Sequence, residues 1–62
     1  MLYNYRVVVQ GQTPKEGLIQ KVINVYHVNE GYARYDACQE WISLAGGDFD
    51  HEVIEIVCLG EY

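Results

Sequence analysis

The residues best equipped for chemistry in this chain of 62 amino acids are the run Asp48-Phe49-Asp50-His51-Glu52 and a scatter of two histidines and two cysteines, His27, His51, Cys38 and Cys58. Carboxylates beside an imidazole can hold a divalent cation. A calcium loop, however, needs a longer alternation of oxygen ligands closed by a distant bidentate carboxylate, and structural zinc needs four well-spaced nitrogen or sulfur ligands. Neither spacing is present, so neither a metal nor a cofactor is expected. The run reads as a helix-to-strand loop, either simply solvated or touching a partner. A nucleophilic thiol needs a nearby cation or a helix N-terminus to lower its pKa. Cys38 is expected in mid-helix and Cys58 near the end of an apolar strand, so both read as small apolar fillers of a reducing compartment. The histidines read as polar strand or loop residues, and no enzyme is expected.

Phosphate cradles are also missing: the glycines fall at turns, with neither G-x-x-x-x-G-K-[ST] nor G-x-G-x-x-G after the first strand. Direct nucleic-acid binding needs a lysine and arginine patch. Arg6, Lys15 and Lys21 are too sparse for one, and the net charge is −5. The balance is one-sided along the chain. Residues 1–29 carry a net +2 (Arg6, Lys15 and Lys21 against Glu16), and residues 30–62 carry −7, with eight carboxylates against Arg34. Such asymmetry points to a partner with a basic surface.

The residues expected to face that partner are Glu30, Asp36, Glu40, Asp48, Asp50 and Glu52, with Tyr35 and Gln39 beside them. Asp36 and Glu40 stand one helical turn apart on an exposed face, where like charges cost an isolated helix about 0.2–0.5 kcal/mol. They are odd choices for stability alone. Six tyrosines exceed what a thin core needs. Tyrosine supplies rigid amphipathic contact area, so Tyr35 and Ile42 on the helix flank make a candidate contact edge.

Four elements must position these groups. Tyr3 to Gln10 alternates with period 2, Tyr3, Tyr5, Val7 and Val9 on one face, and reads as a strand. Gly11, Thr13, Pro14 and Gly17 then turn the chain. Leu18 to Val28 reads as a second strand of ambiguous parity, Ile19, Ile23 and Val25 against Val22, Tyr26 and Val28. Either a bulge shifts its register or its second face is also covered. A helix is expected from Tyr32 or Ala33 to Ala45, with Ala33, Ala37, Trp41, Leu44 and Ala45 on the buried stripe and Trp41 as anchor. Gly46 and Gly47 end it. Glu52 to Leu59 is the last strand, Ile54, Ile56 and Cys58 facing one way and Val53, Glu55 and Val57 the other.

The expected fold is α+β: one domain of ββαβ order, with a three-stranded antiparallel sheet of order 2-1-3 and one helix on one face. A chain this short buries only about 60% of its unfolded surface. One helix leaves the second sheet face open, so a homodimer or a partner protein is expected to cover it. No secretory signal and no apolar run approaching the ~20 residues of a membrane span are visible, which reads as cytoplasmic.

Taken whole, the chain resembles the small single-domain inhibitors that bacteriophages and other mobile elements make against host machinery, among them the phage inhibitor of bacterial RNA polymerase and several anti-CRISPR proteins. The likeness lies in a strand hairpin, a helix of the type Tyr35-Asp36-Ala37-Cys38-Gln39-Glu40-Trp41, a short glycine loop and a closing strand Val53-Ile54-Glu55-Ile56-Val57. It spans nearly all of the chain and rests on size, element order and acidity. The resemblance implies a non-enzymatic protein of the host cytoplasm that binds a nucleic-acid-handling enzyme at a basic channel, by occupancy or as a DNA mimic.

Overall fold

The computed structural model describes residues 1–62. Strands β1 (Tyr3–Thr13) and β2 (Gly17–His27) form a hairpin, helix α1 (Glu30–Ala45) follows, and β3 (His51–Glu61) closes the chain. The sheet order is β2-β1-β3 with both pairings antiparallel, and α1 packs on one face: the expected α+β, ββαβ arrangement. The central β1 is the most buried strand. Its inward residues Tyr5, Val7 and Val9 join Ile23 and Val25 of β2 and Ala33, Ala37 and Trp41 of α1 in a single buried cluster.

Small residues bring the helix close. Ala33 and Ala37 let the first turns lie near the sheet, and Trp41 then crosses β1 at Gly11, where no side chain obstructs it. A Cβ on Gly11 would stand 2.3 and 2.5 Å from two indole carbons and 2.6 Å from the Asp50 carbonyl oxygen. The indole N–H donates to the Ile19 carbonyl at 3.4 Å. His51 stacks on the same ring with centroids 5.0 Å apart. Trp41 thereby touches all three strands, which is why a helix of modest amphipathicity sits in one place.

Local signals fix the ends of α1. The Asn29 side chain accepts from the Tyr32 N–H at 3.0 Å, and Gly46 takes a left-handed φ of 85° while its N–H donates to the Ile42 carbonyl. The helix therefore starts earlier than expected, and Glu30 and Gly31 belong to its first turn. β1 likewise runs past Gly11 to Thr13. The turn is only Pro14-Lys15-Glu16, held by the Thr13 hydroxyl, which accepts from the Glu16 N–H at 3.0 Å.

Three sequence expectations are corrected. The β1–β2 register is unbroken from Tyr3↔His27 to Thr13↔Gly17, so no bulge explains the mixed parity of β2. Ile23 and Val25 face the helix, Val22 and Tyr26 lie on the open face, and Val28 is outside the strand. The irregularities lie in β3 instead, at Asn4/Tyr5 and Val8/Val9 of its partner strand. They place Val53, Ile56 and Cys58 opposite Val9, Val7 and Tyr5, and Ile54 leaves the helix-side set. Leu44 is also off the buried stripe: it is 53% exposed, beside the β2 edge, while Ile42 packs against the core.

The open face is mixed in character. Val8 is buried there by its central position between Val22 and Glu55, but Arg6, Gln12, Gln20 and Asn24 share the face with Leu18, Val22 and Tyr26. Tyr26 and Tyr62 pack together at one end, ring centroids 4.5 Å apart.

Two glycine substitutions separate close approach from backbone freedom. Gly11→Ala forces a methyl group into a rigid indole and a backbone carbonyl, so it should destabilise by about 1–3 kcal/mol. Gly31→Ala meets only the Asn29 side-chain oxygen at 3.4 Å. In a helical turn it should stabilise by about 0.5–1 kcal/mol. Opposite shifts of the thermal melt are expected, and a Gly11→Ala variant as stable as the parent would refute the Trp41 seat.

Candidate functional site

With no deep pocket in so thin a molecule, the candidate site is its charged surface. Two carboxylates of the second half are paired with arginine: Glu55 with Arg6 at 3.3 Å across β1 and β3, and Glu30 with Arg34 at 3.4 Å one turn along α1. Both pairs are solvent-exposed and contribute little to stability. Asp36, Glu40, Asp48, Asp50, Glu52 and Glu61 have no lysine or arginine partner, and the contacts of Asp36 and Asp48 are to histidines.

The eight residues expected at an interface do not form one patch. The molecule is elongated, 39 × 15 × 14 Å, and α1 runs along it. Glu30 sits where the helix begins, beside the end of β2. Asp48 and Asp50 belong to the loop at the opposite end, where the Asp50 carbonyl accepts from the Gln12 N–H at 3.0 Å and both residues border the β1–β2 turn. Glu52 projects from β3 on the open sheet face, opposite Gln10. Between the ends, Asp36 and Glu40 flank the exposed side of β2 with Leu44 one turn further on. Tyr35 and Gln39 are exposed along the outer helix surface, Tyr35 sharing a shallow depression with Tyr32 and Asp36. Tyr35 and Ile42, expected to act together as a contact edge, are divided: Tyr35 faces solvent and Ile42 packs inward.

Each histidine is engaged locally. His27 accepts the Val28 N–H on Nδ1 at 2.8 Å, leaving Nε2 to carry the proton 3.6 Å from the Asp36 carboxylate, and its ring stacks on Tyr32 with centroids 4.9 Å apart. This histidine–tyrosine–carboxylate group was missed by sequence reasoning. The signal for it was Asn29: an N-cap there makes the strand-to-helix turn so short that His27 must fold against the first turns of α1. His51 donates from Nδ1 to the Phe49 carbonyl at 2.6 Å, and Trp41 covers one face of the ring. Asp48 stands 4.0 Å from that nitrogen. No three histidine, cysteine, aspartate or glutamate side chains converge where they could hold a metal ion.

The cysteines differ from one another. Cys38 is half-buried and Cys58 is exposed at the margin of β3, so the apolar-filler role expected of both is corrected for Cys58. Burial pushes the Cys38 thiol above its ordinary pKa, and the Arg34 charge opposes this only in part. That is the reverse of an activated nucleophile. No helix is long and apolar enough to cross a membrane.

Fold and surface together define a small α+β protein with an open three-stranded antiparallel sheet, one face covered by a single helix, and most of its unpaired charge on carboxylates. No protein-family model matches the chain, and no curated protein or solved structure matches it either.

The difference between the thiols is measurable. With iodoacetamide near pH 8, Cys58 should be alkylated several times faster than Cys38, because exposure favours Cys58 and a raised pKa lowers the thiolate fraction of Cys38. The gap should narrow as pH rises through the Cys38 titration. Faster modification of Cys38, read by peptide mass mapping, would contradict its placement.

Proposed function

We propose that the chain is a non-catalytic acidic protein that binds a cationic surface of a nucleic-acid-handling protein or complex and inhibits or modulates it. One observation carries this reading. Six carboxylates of the second half, Asp36, Glu40, Asp48, Asp50, Glu52 and Glu61, project from a rigid scaffold with no lysine or arginine to neutralise them. Unpaired charge of one sign raises the rate of encounter with an oppositely charged surface, and exposed aromatic groups such as Tyr32 and Tyr35 supply anchors that desolvate on contact. The unpaired carboxylates are strung along the 39 Å long axis, from Asp36 and Glu40 to the Asp48–Glu52 loop, so they can stand in for a stretch of backbone phosphates. Such a protein competes with nucleic acid for a basic channel, the mode implied by its resemblance to small phage inhibitors.

A second reading rests on the open sheet face. Leu18, Val22 and Tyr26 are 63%, 60% and 48% exposed there, and although Gln20 and Asn24 alternate with them, this apolar area suits an accessory subunit or a homodimer. Salt separates the two, because charge-driven docking weakens as screening shortens to about 8–10 Å near physiological ionic strength, whereas apolar docking does not.

The test starts from capture of partners out of a bacterial lysate by the tagged chain, at low and at moderate salt, followed by binding measurements on the purified partner. Reversing Asp36 and Glu40 to lysine should weaken binding several-fold or more at low salt, while Glu16→Lys, on the β1–β2 turn, should have little effect. A thermal melt of each variant checks folding. Equal affinity of the double reversal and the control would exclude the helix flank, and salt-independent capture would favour the apolar reading.

A further inference from the structure

The two edges of the sheet are built differently. β3 carries both register shifts, a glycine at φ 118° and three glutamates, Glu52, Glu55 and Glu61, all of which discourage another strand from pairing with it. β2 has no register shift and no carboxylate; its one positive-φ glycine, Gly17, lies at the turn, and Lys21 is its one lysine. It pairs with β1 over eleven residues without interruption, contains no proline, and turns a straight outer edge to solvent. A long regular edge of this kind is a template for an added strand.

Alongside that edge runs a groove of about 520 Å³, walled by Val22 to Tyr26 on one side and by Asp36, Glu40 and Leu44 on the other. α1 leaves the end of β2 and returns over it, so the helix and β2 run in opposite directions. The three helix residues are four apart, which spaces them about 6 Å along the axis. Side chains on one face of an extended strand recur about every 6.6 Å. Two successive same-face positions of an added strand therefore fall in step with Asp36 and Glu40, and the third with Leu44.

We propose that the β2 edge binds an extended basic segment of a partner protein by strand addition. Positions i and i+2 of the segment carry lysine or arginine against Asp36 and Glu40, and i+4 is apolar against Leu44. The alternate positions turn to the open face, where Val22 and Tyr26 favour apolar side chains. Run antiparallel to β2, the segment reads basic-apolar-basic-apolar-apolar. Backbone hydrogen bonds to the edge provide affinity, and the carboxylates select the charge. Charge also decides against a second copy as occupant. Pairing two β2 edges would bring Asp36 and Glu40 of both molecules to one seam with only the two Lys21 side chains and the two His27 imidazoles to offset them, between chains that each carry −5. The proposal rests on the reading that the partner is cationic and names where and in what conformation it is held.

The test uses the ¹⁵N-labelled chain and a capped synthetic peptide, Thr-Lys-Val-Lys-Val-Leu-Thr, followed by amide shifts. Perturbation should concentrate on residues 18–26 of β2 and on Asp36, Glu40 and Leu44. A peptide with glutamate in place of both lysines should not bind. Of two peptides N-methylated at alternate residues, the one that loses the donors facing β2 should lose binding and the other should retain it. The Asp36→Asn/Glu40→Gln variant, its fold verified by the dispersion of the same spectrum, should bind at least tenfold more weakly, and Asp48→Asn/Asp50→Asn should bind as the parent does. No perturbation at millimolar peptide overturns the proposal. So do shifts confined to the 48–52 loop or the open face, equal binding of both methylated peptides, or a free chain that dimerises through β2. Peptide bound at the 48–52 loop would remove the edge site while leaving a cationic partner in place. Binding at the edge together with salt-independent capture of the partner would instead remove the electrostatic reading of function and leave the edge site standing.

Discussion

The indole of Trp41 lying over Gly11 is the contact on which the other arrangements depend. A three-stranded sheet with one helix has no second layer to correct a poor fit, and the only side chains buried completely besides the alanines are Trp41, Val7 and Val9. The bare backbone at Gly11 lets the ring descend onto β1, the Ile19 carbonyl takes its N–H from the β2 side, and His51 closes over it from β3. One residue thus ties the helix to every strand. The same seat sets the rotation of α1 about its axis. With Ala33, Ala37 and Trp41 inward, Asp36, Glu40 and Leu44 must fall along β2, and Tyr35 and Gln39 must face outward. The electrostatic surface follows from a packing decision made in the core.

Strand order and helix position were legible in the sequence because they rest on periodicity. The alternation of Tyr3, Tyr5, Val7 and Val9 with Asn4, Arg6, Val8 and Gln10, and the four-residue spacing of Ala33, Ala37 and Trp41, need no tertiary information. What escaped was non-local or depended on a single atom contact. The two irregularities of β3 arise where it meets β1, and the run Val53-Ile54-Glu55-Ile56-Val57-Cys58 is apolar enough to read in either parity. In the sequence Gly11 reads as a turn residue because glycine most often is one; only the indole above it makes glycine the strand residue of choice. Leu44 fitted the stripe by spacing, but the buried line continues from Trp41 to Ala45, and Leu44 falls in line with Asp36 and Glu40 beside β2. Of the interface candidates, sequence could say which residues were charged. It could not say that a 39 Å body would hold Glu30 and the 48–52 loop at opposite ends.

Scale explains why the charge is left unpaired. A chain of this length covers one sheet face and little more, so almost every ionisable group stays in water, where ion pairs add at most about 1 kcal/mol. Folding therefore exerts little selection on whether Asp48 or Glu52 finds a cation. In a protein with four basic residues and nine acidic ones, most carboxylates cannot find one. The fold tolerates this excess because the charges are distributed along the long axis instead of being gathered at one point, and each remains free to meet a charge from outside.

The two sheet edges differ in how open they are to pairing. An open sheet exposes two rows of unpaired backbone groups, and a chain with no spare elements cannot cover both. β3 is interrupted by its register shifts and guarded by glutamates. β2 is regular but lies beside Asp36 and Glu40, with Lys21 as its only lysine or arginine. The edge most open to pairing is therefore the one from which another copy of the chain is most strongly repelled. On the strand-addition proposal, the carboxylates that oppose a second copy of the chain admit a strand of opposite charge, so deterrence of self-pairing and selectivity for a basic segment fall to one pair of side chains one helical turn apart.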